Sequence, residues 1–246
     1  MRIRRMLIII AMGLYASILY GGEGKVKWGY TGKTGPVYWG SLSPEFEMCS
    51  KGKNQSPIDL KGFIEADLPE LNFEDNGHAI YIENNGHTIK VGVSPGTTVE
   101  IDGRKFTLLQ FHFHSPSENL IEGRSFPMEA HFVYQDKDGN LAVVALLFEY
   151  GEKNPLIEKL WKKMPEKVGK NKITFTCKPH NLLPKNKDYY RFNGSLTTPP
   201  CTEGVRWIVL KEYATVSKEQ VERFKKVMGM PNNRPVQPVN ARVILK

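Results

Sequence analysis

Cysteine is scarce: Cys49, Cys177 and Cys201 are the only three in 246 residues, so the chain holds at most one internal disulfide, in any of three pairings. Long apolar runs are scarcer. The longest covers about residues 6–19, too short to span a bilayer comfortably, and it follows Arg2, Arg4 and Arg5, the charged start of a secretory leader. We expect a signal peptide over 1–21 and one mature domain over 22–246, periplasmic or secreted, with no stable membrane partner. A lipid-anchored or uncleaved tethered form competes with that expectation, because no clean Ala-x-Ala site precedes the best cut near Gly21 or Gly22. Acid is in deficit as well: 26 Asp and Glu against 34 Lys and Arg give +8, or +5 without the leader's three arginines. The lysines are scattered among acids rather than drawn into a stripe with aromatics, so no nucleic-acid partner is expected. Internal repeats, long low-complexity linkers and a serine-nucleophile motif are all absent. About 225 residues after the leader suffice for one sizeable core, and no second domain is required.

What is present centres on three histidines. Gln110-Phe111-His112-Phe113-His114 alternates polar and aromatic residues, so an extended strand sends Gln110, His112 and His114 to one face and both phenylalanines to the other. Glu129-Ala130-His131-Phe132-Val133-Tyr134 alternates likewise and puts His131 beside Glu129. A neighbouring strand could thus supply a third imidazole. Three neutral imidazoles and a water make a tetrahedral Zn²⁺ site with an open position, the catalytic kind, whereas structural sites usually fill all four positions with protein ligands. A ligating histidine normally hands its other ring N–H to a carboxylate, amide or carbonyl, and Gln110 and Glu129 each stand two residues before a histidine on its own face. A solvent-facing or satisfied pair that binds nothing is the ordinary alternative for any His-x-His.

Short apolar runs at 79–83, 88–93, 97–101, 106–114, 129–134, 141–150, 173–176 and 205–212 are separated by Gly-rich and polar turns, a pattern of many short strands. Helical spacing occurs at 155–164 and 217–228, the second with Ser217 placed to cap it and Glu219 and Glu222 in its early turns. The chain therefore reads as mainly β.

With these residues in view, the chain resembles the α-class carbonic anhydrases, exported bacterial members among them, over nearly its whole mature length. Trp28-Gly29-Tyr30, Gly35-Pro36 with Trp39-Gly40, Asn54-Gln55-Ser56-Pro57-Ile58, Asn84-Asn85-Gly86-His87, the run 110–114, Ser117-Glu118, the runs 129–133 and 194–200, and Asn233-Arg234-Pro235-Val236-Gln237 look like family segments in family order. Gln-Phe-His-Phe-His combined with Gly-Ser-Leu-Thr-Thr-Pro-Pro is far more specific than any single zinc motif. The resemblance implies a single domain with a central, mostly antiparallel twisted sheet of about ten strands, a few peripheral helices and zinc at the bottom of a conical cleft. It also implies cis peptide bonds at Ser56-Pro57 and Pro199-Pro200, and a Cys49–Cys201 disulfide that tethers the loop holding Thr197. Closing a loop of that length stabilises by roughly 5 kcal/mol in the chain-entropy model. Cys177 is then left over, either buried and inert or linking two subunits, and a homodimer is admitted.

The activity the resemblance implies is reversible hydration of CO₂ to bicarbonate and a proton, by attack of a zinc-bound hydroxide held by His112, His114 and His131. By match, Thr197 accepts the hydroxide's hydrogen bond and donates its own to Glu118; an ionised carboxylate can only accept, which forces that direction. Val133, Val143, Leu196, Val205 and Trp207 match the apolar wall for CO₂, with Thr198 in the same pocket, although each alone reads as core packing. His87 matches the proton-shuttle histidine, and an ordinary imidazole pKa near 6.5 suits that relay. Tyr30 and Asn85 match residues that order its water chain; on their own they are a surface tyrosine and a turn asparagine. Asn76-Gly77-His78 echoes Asn85-Gly86-His87, and only the resemblance selects His87. His180 has no assigned role.

Three residues depart from the family's usual pattern. Asn119 after Glu118 and Tyr134 beyond His131 each stand where histidine is common, and we expect them to change together and keep one hydrogen-bond network connected behind the third ligand. Lys90 stands in the cleft where a neutral polar residue is usual. Two rival functions are a binding module that kept the fold without turnover and a zinc esterase for small activated esters. An intact ligand set with Glu118 and Thr197 disfavours the first, and a narrow apolar wall disfavours the second.

Overall fold

The computed structural model describes residues 26–246, so the expected leader and its cut lie outside the described residues. Its strands are β1 Asp59–Leu60, β2 Asn72–Asp75, β3 Ala79–Asn84, β4 Ile89–Val93, β5 Thr97–Ile101, β6 Arg104–His114, β7 Leu120–Ile121, β8 Met128–Gln135, β9 Leu141–Tyr150, β10 Gly169–Lys172, β11 Tyr189–Ser195, β12 Glu203–Leu210 and β13 Ala214–Val216. The helices are α1 Trp39–Leu42, α2 Met48–Lys51, α3 Pro155–Trp161 and α4 Lys218–Met228. Eleven strands form one sheet with the main path β10-β3-β4-β6-β8-β9-β12-β11; β5 and β2 continue beside the first half of β6, and β13 beside the end of β9. Within that sheet pairing is antiparallel except where β9 meets β12 and β13, and β1 and β7 pair in parallel apart from it, so the mainly β expectation holds.

β8 and β9 are buried on both faces. The near-continuous apolar run of β9 is what such a central position demands. One face carries the larger core, where Phe111 stacks on Phe132 at 5.1 Å between centroids and Phe113 meets Trp161 of α3 edge-on at 4.9 Å. α4 seals this side with Val221, Phe224 and Met228. It is capped as expected: Ser217 and Gln220 form a reciprocal capping box, and Gly229 ends the helix at φ 70°.

β6 changes parity along its length. Phe106 and Leu108 face the larger core, and so do Phe111 and Phe113, which strict alternation forbids. The register against β8 shifts between Leu108 and Gln110, leaving Leu109 as the extra, exposed residue of a bulge. That one residue turns Gln110, His112 and His114 away from the core; without it they would point inward.

The strand expected at 173–176 does not form. The ladder runs just before it, β10 pairing with β3 between Tyr81 and Asn84, and all four residues of β10 are exposed. Ile173 and Phe175 pack on the larger core instead, so their apolarity signals burial and not pairing. The bonds before Pro57 and Pro200 are cis as expected, as is that before Pro116. Cys49 and Cys201 are joined across a separation of 152 residues. Cys177 is buried in the larger core, and burial pushes its thiol up to about 11, which favours the inert reading over a subunit link. Among the described residues, no helix is long and apolar enough to cross a membrane.

Candidate metal centre

Strand register brings the three rings together. β6 and β8 set His112 opposite His131 and His114 opposite Glu129. Ring centroids are 5.0 Å apart for His112 and His114, 5.4 Å for His112 and His131, and 4.6 Å for His114 and His131. One nitrogen of each ring lies within 4.8 Å of the other two. The far side of each ring meets an acceptor: His112 Nδ1 is 2.9 Å from Gln110 Oε1, His114 Nδ1 is 2.7 Å from the Asn232 carbonyl, and His131 Nε2 is 2.9 Å from Glu129 Oε1, a close charge contact outside hydrogen-bond alignment. These contacts leave His112 Nε2, His114 Nε2 and His131 Nδ1 as the inward atoms.

Burial, with the neighbouring rings and Lys90 adding to it, holds His112 well below the ordinary imidazole pKa, and burial lowers His114 too. Neutral imidazoles with inward lone pairs are metal donors. His114 Nε2 is buried and has no hydrogen-bond partner among the described residues. Such a group is costly unless something occupies the space it faces, and a cation among three imidazoles fits it.

Glu129 is fully buried behind His131. Its Oε2 accepts the main-chain N–H groups of Glu118 and Asn119 at 2.7 and 2.9 Å, and its Oε1 accepts the Asn119 carboxamide at 2.7 Å. Burial would raise its pKa, but His131 and Asn119 outweigh that and hold it below the ordinary carboxyl value. Tyr134 takes no part. Its side chain lies in the larger core on the opposite face, with the hydroxyl 2.8 Å from His180 Nε2. The expected joint network of Asn119 and Tyr134 is therefore wrong, because residues 131 and 134 on one strand differ in parity and face opposite sides of the sheet.

Glu118 sits against the rings, with Oε2 3.6 Å from His114 Nε2 and 3.8 Å from His131 Nδ1, while Oε1 accepts the Arg234 main-chain N–H at 2.7 Å. Burial raises its carboxyl to about 7, opposed by His131, the Arg234 amide and the Thr197 hydroxyl. The protein alone thus poises Glu118 between its two forms, rather than ionising it firmly as the sequence suggested. Positive charge among the rings would favour the ionised form.

Trp28, Tyr30, Asn85, His87, Lys90 and Thr198 line the cleft above His112 and His114. The His87 ring lies flat on Trp28 with centroids 3.8 Å apart, and its main-chain N–H donates to Asn85 Oδ1 at 2.9 Å. Asn85 therefore both forms the turn and faces the cleft. His78, the echo, is exposed and paired with Ser94. Lys90 is ion-paired to Glu83 at 2.9 Å and stands opposite His112 in the β4–β6 register. Val133, Val143, Val205 and Trp207 gather with Leu196 in the smaller apolar cluster, and the Trp207 ring lies 5.0 Å from His131. Gly194 admits no side chain there, since a Cβ would run into the Ser56 hydroxyl and the Trp207 indole.

Two contributors, Arg234 and Asn232, have no role assigned from the sequence, although Arg234 falls within the family-like segment 233–237. The buried Arg234 guanidinium donates to Gln55 Oε1 and to the carbonyls of Ser56 and Cys49, each at 2.8 Å, while its amide holds Glu118. Cys201 N–H in turn donates to the Thr198 carbonyl at 2.8 Å, which ties the disulfide to the cleft loop. Asn232 supplies the carbonyl behind His114.

A family model described as eukaryotic-type carbonic anhydrase matches residues 34–246. The chain belongs to that carbonic anhydrase family. A carbonic anhydrase of Neisseria gonorrhoeae is 46% identical over 240 residues, covering 97% of this chain and 94% of that one. One from Pectobacterium carotovorum is 46% identical over 239 residues, 96% of this chain and 98% of its own. The solved α-carbonic anhydrase of Thermovibrio ammonificans, in complex with the inhibitor sulfanilamide, superposes with a TM-score of 0.89 at 53% identity, covering 91% of this chain and 100% of that one. Carbonic anhydrases are lyases, so the chain is an enzyme of that class.

Proposed function

We propose that the chain catalyses reversible hydration of CO₂ to bicarbonate and a proton, with Zn²⁺ held by His112 Nε2, His114 Nε2 and His131 Nδ1. One observation carries this reading: two buried rings and the half-buried His112 ring turn one nitrogen each toward a common point beside Glu118, and that of His114 has no hydrogen-bond partner. Three imidazoles suit zinc with a coordination position to spare. When bound, zinc lowers the pKa of a coordinated water to about 7 and so makes hydroxide available at neutral pH.

The chain's own residues do the rest. Gln110, the Asn232 carbonyl and Glu129 fix the orientation of the three rings from behind. Thr197, its hydrogen committed to Glu118, offers a lone pair to the attacking water and so aims it. Val133, Val143, Leu196, Val205 and Trp207 give nonpolar CO₂ a dry wall, and Thr198 borders the cleft beside them. His87 relays the proton from the cleft to buffer, with Tyr30 and Asn85 ordering the intervening water. Burial lowers the His87 pKa, which helps its imidazolium release the proton.

Export completes the proposal: residues 1–21 act as a cleaved leader, and the Cys49–Cys201 bond supports a periplasmic or secreted destination. The intact mass of protein recovered from the periplasm checks the cut. Stopped-flow CO₂ hydration tests the function. Activity should vanish on chelation and return with about one equivalent of Zn²⁺. Zinc uptake without hydration would leave a binding module, and preference for a small activated ester would leave an esterase.

A further inference from the structure

The Asn232 side chain stands at a junction that the proposed reaction does not account for. It is fully buried and its carboxamide is spent: Oδ1 accepts the Ser115 N–H at 2.9 Å, and Nδ2 donates to the carbonyls of Phe113 at 2.9 Å and His87 at 3.1 Å. Phe113 and Ser115 flank His114, whose ring meets the main-chain carbonyl of the same asparagine. His87 lies on the other element, in the turn before β4. The β4–β6 ladder stops at Lys90 opposite His112, so His87 is beyond its last rung. Two side chains replace the missing rungs: Thr88, whose hydroxyl donates to the Phe113 carbonyl at 2.6 Å, and Asn232, which alone of the two reaches His87.

We propose that Asn232 is a positioning residue that sets the spacing between the metal-binding rings and the proton shuttle. This rests on the reading of His87 as that shuttle. One planar amide grips both sides of the gap, so the His87 main chain is pinned to the strand end that carries His114. Its remaining restraints, the Asn85 carboxamide on its N–H and the Trp28 ring on its imidazole, come from its own turn and from the opposite wall of the cleft. Transfer through ordered water depends steeply on such spacing, as does any step between groups held in place. Releasing the His87 carbonyl should slow proton transfer and spare attack on CO₂.

Asn232→Asp keeps the shape, the Oδ1 acceptor and the main-chain carbonyl behind His114, and removes both donors. In weak buffer, kcat for CO₂ hydration should fall about 10-fold, with kcat/KM held within about twofold. Added imidazole should restore kcat, zinc release to a chelator should stay within about twofold of the parent, and the NMR titration of the His87 ring should shift. Asn232→Ser, which buries no charge, should give the same imidazole-rescued loss. In a His87→Ala background neither change should lower kcat further. Losses of kcat and kcat/KM together without rescue, faster zinc release, or undiminished kcat in both variants would overturn the proposal. Undiminished kcat in His87→Ala alone would instead remove the shuttle reading beneath it.

Discussion

Both faces of the sheet bury histidine, and they use it differently. On one face His112, His114 and His131 are backed by Gln110, a carbonyl and Glu129, with a nitrogen of each left to converge. On the other, His180 Nε2 is taken by the Tyr134 hydroxyl, its Nδ1 lies 3.9 Å from Asp75 Oδ1, and Phe73 meets the ring edge-on at 4.8 Å. Burial lowers His180 to about 4, with Lys187 assisting and Asp75 opposing. A buried imidazole becomes neutral on either side. Convergence, not burial, makes a ligand.

Four measurements would break or sharpen that contrast. The largest effect belongs to His131→Ala, which removes one of the three imidazoles proposed to hold zinc. Metal analysis of dialysed protein should fall from about one zinc per chain to almost none, while His180→Ala should keep its zinc. Loss of zinc in the His180 variant would erase the distinction between the faces.

Acid stability comes next. The unfolded chain protonates His180 near 6.5 and the folded one near 4, so the stability this group contributes is complete above about 6.5 and declines as pH falls between the two values. The full decline is on the order of 3 kcal/mol. Asp75, Lys187 and Tyr134 remain around the ring in His180→Phe, and denaturation of the metal-free variant between pH 4 and 6.5 should show a flatter slope. An identical slope would assign the acid sensitivity elsewhere.

Asn119→Ala strips the carboxamide from Glu129 and should weaken zinc binding about 10- to 100-fold, measured by chelator competition. Tyr134→Phe should cost only about 1 kcal/mol of stability and leave zinc affinity alone. Combined, the two should be additive within about 0.5 kcal/mol; a larger coupling would restore a shared network across the sheet.

The metal face was largely legible because alternation is a local property. Gln110 to His114 and Glu129 to Val133 announce their facing residues within five positions. The bulge at Leu109 was invisible, since Leu108-Leu109 reads equally as two core residues. β10 was missed because Gly-Lys-Asn-Lys, exposed at a sheet edge, has no apolar face to alternate with. Asn232 and Arg234 join partners more than 110 residues away, through main-chain and side-chain atoms alike, and no local pattern marks such bonds. Tyr134 misled for another reason: resemblance related it to a position, whereas its strand parity decided its neighbours.

The clamps on this centre arrive late. The carbonyl behind His114 and the amide on Glu118 come from 118 and 116 residues further along. In a chain synthesised from its amino end, the three rings emerge well before the segment that locks them. Until that segment docks, neither the His114 ring nor the Glu118 carboxylate has its main-chain partner.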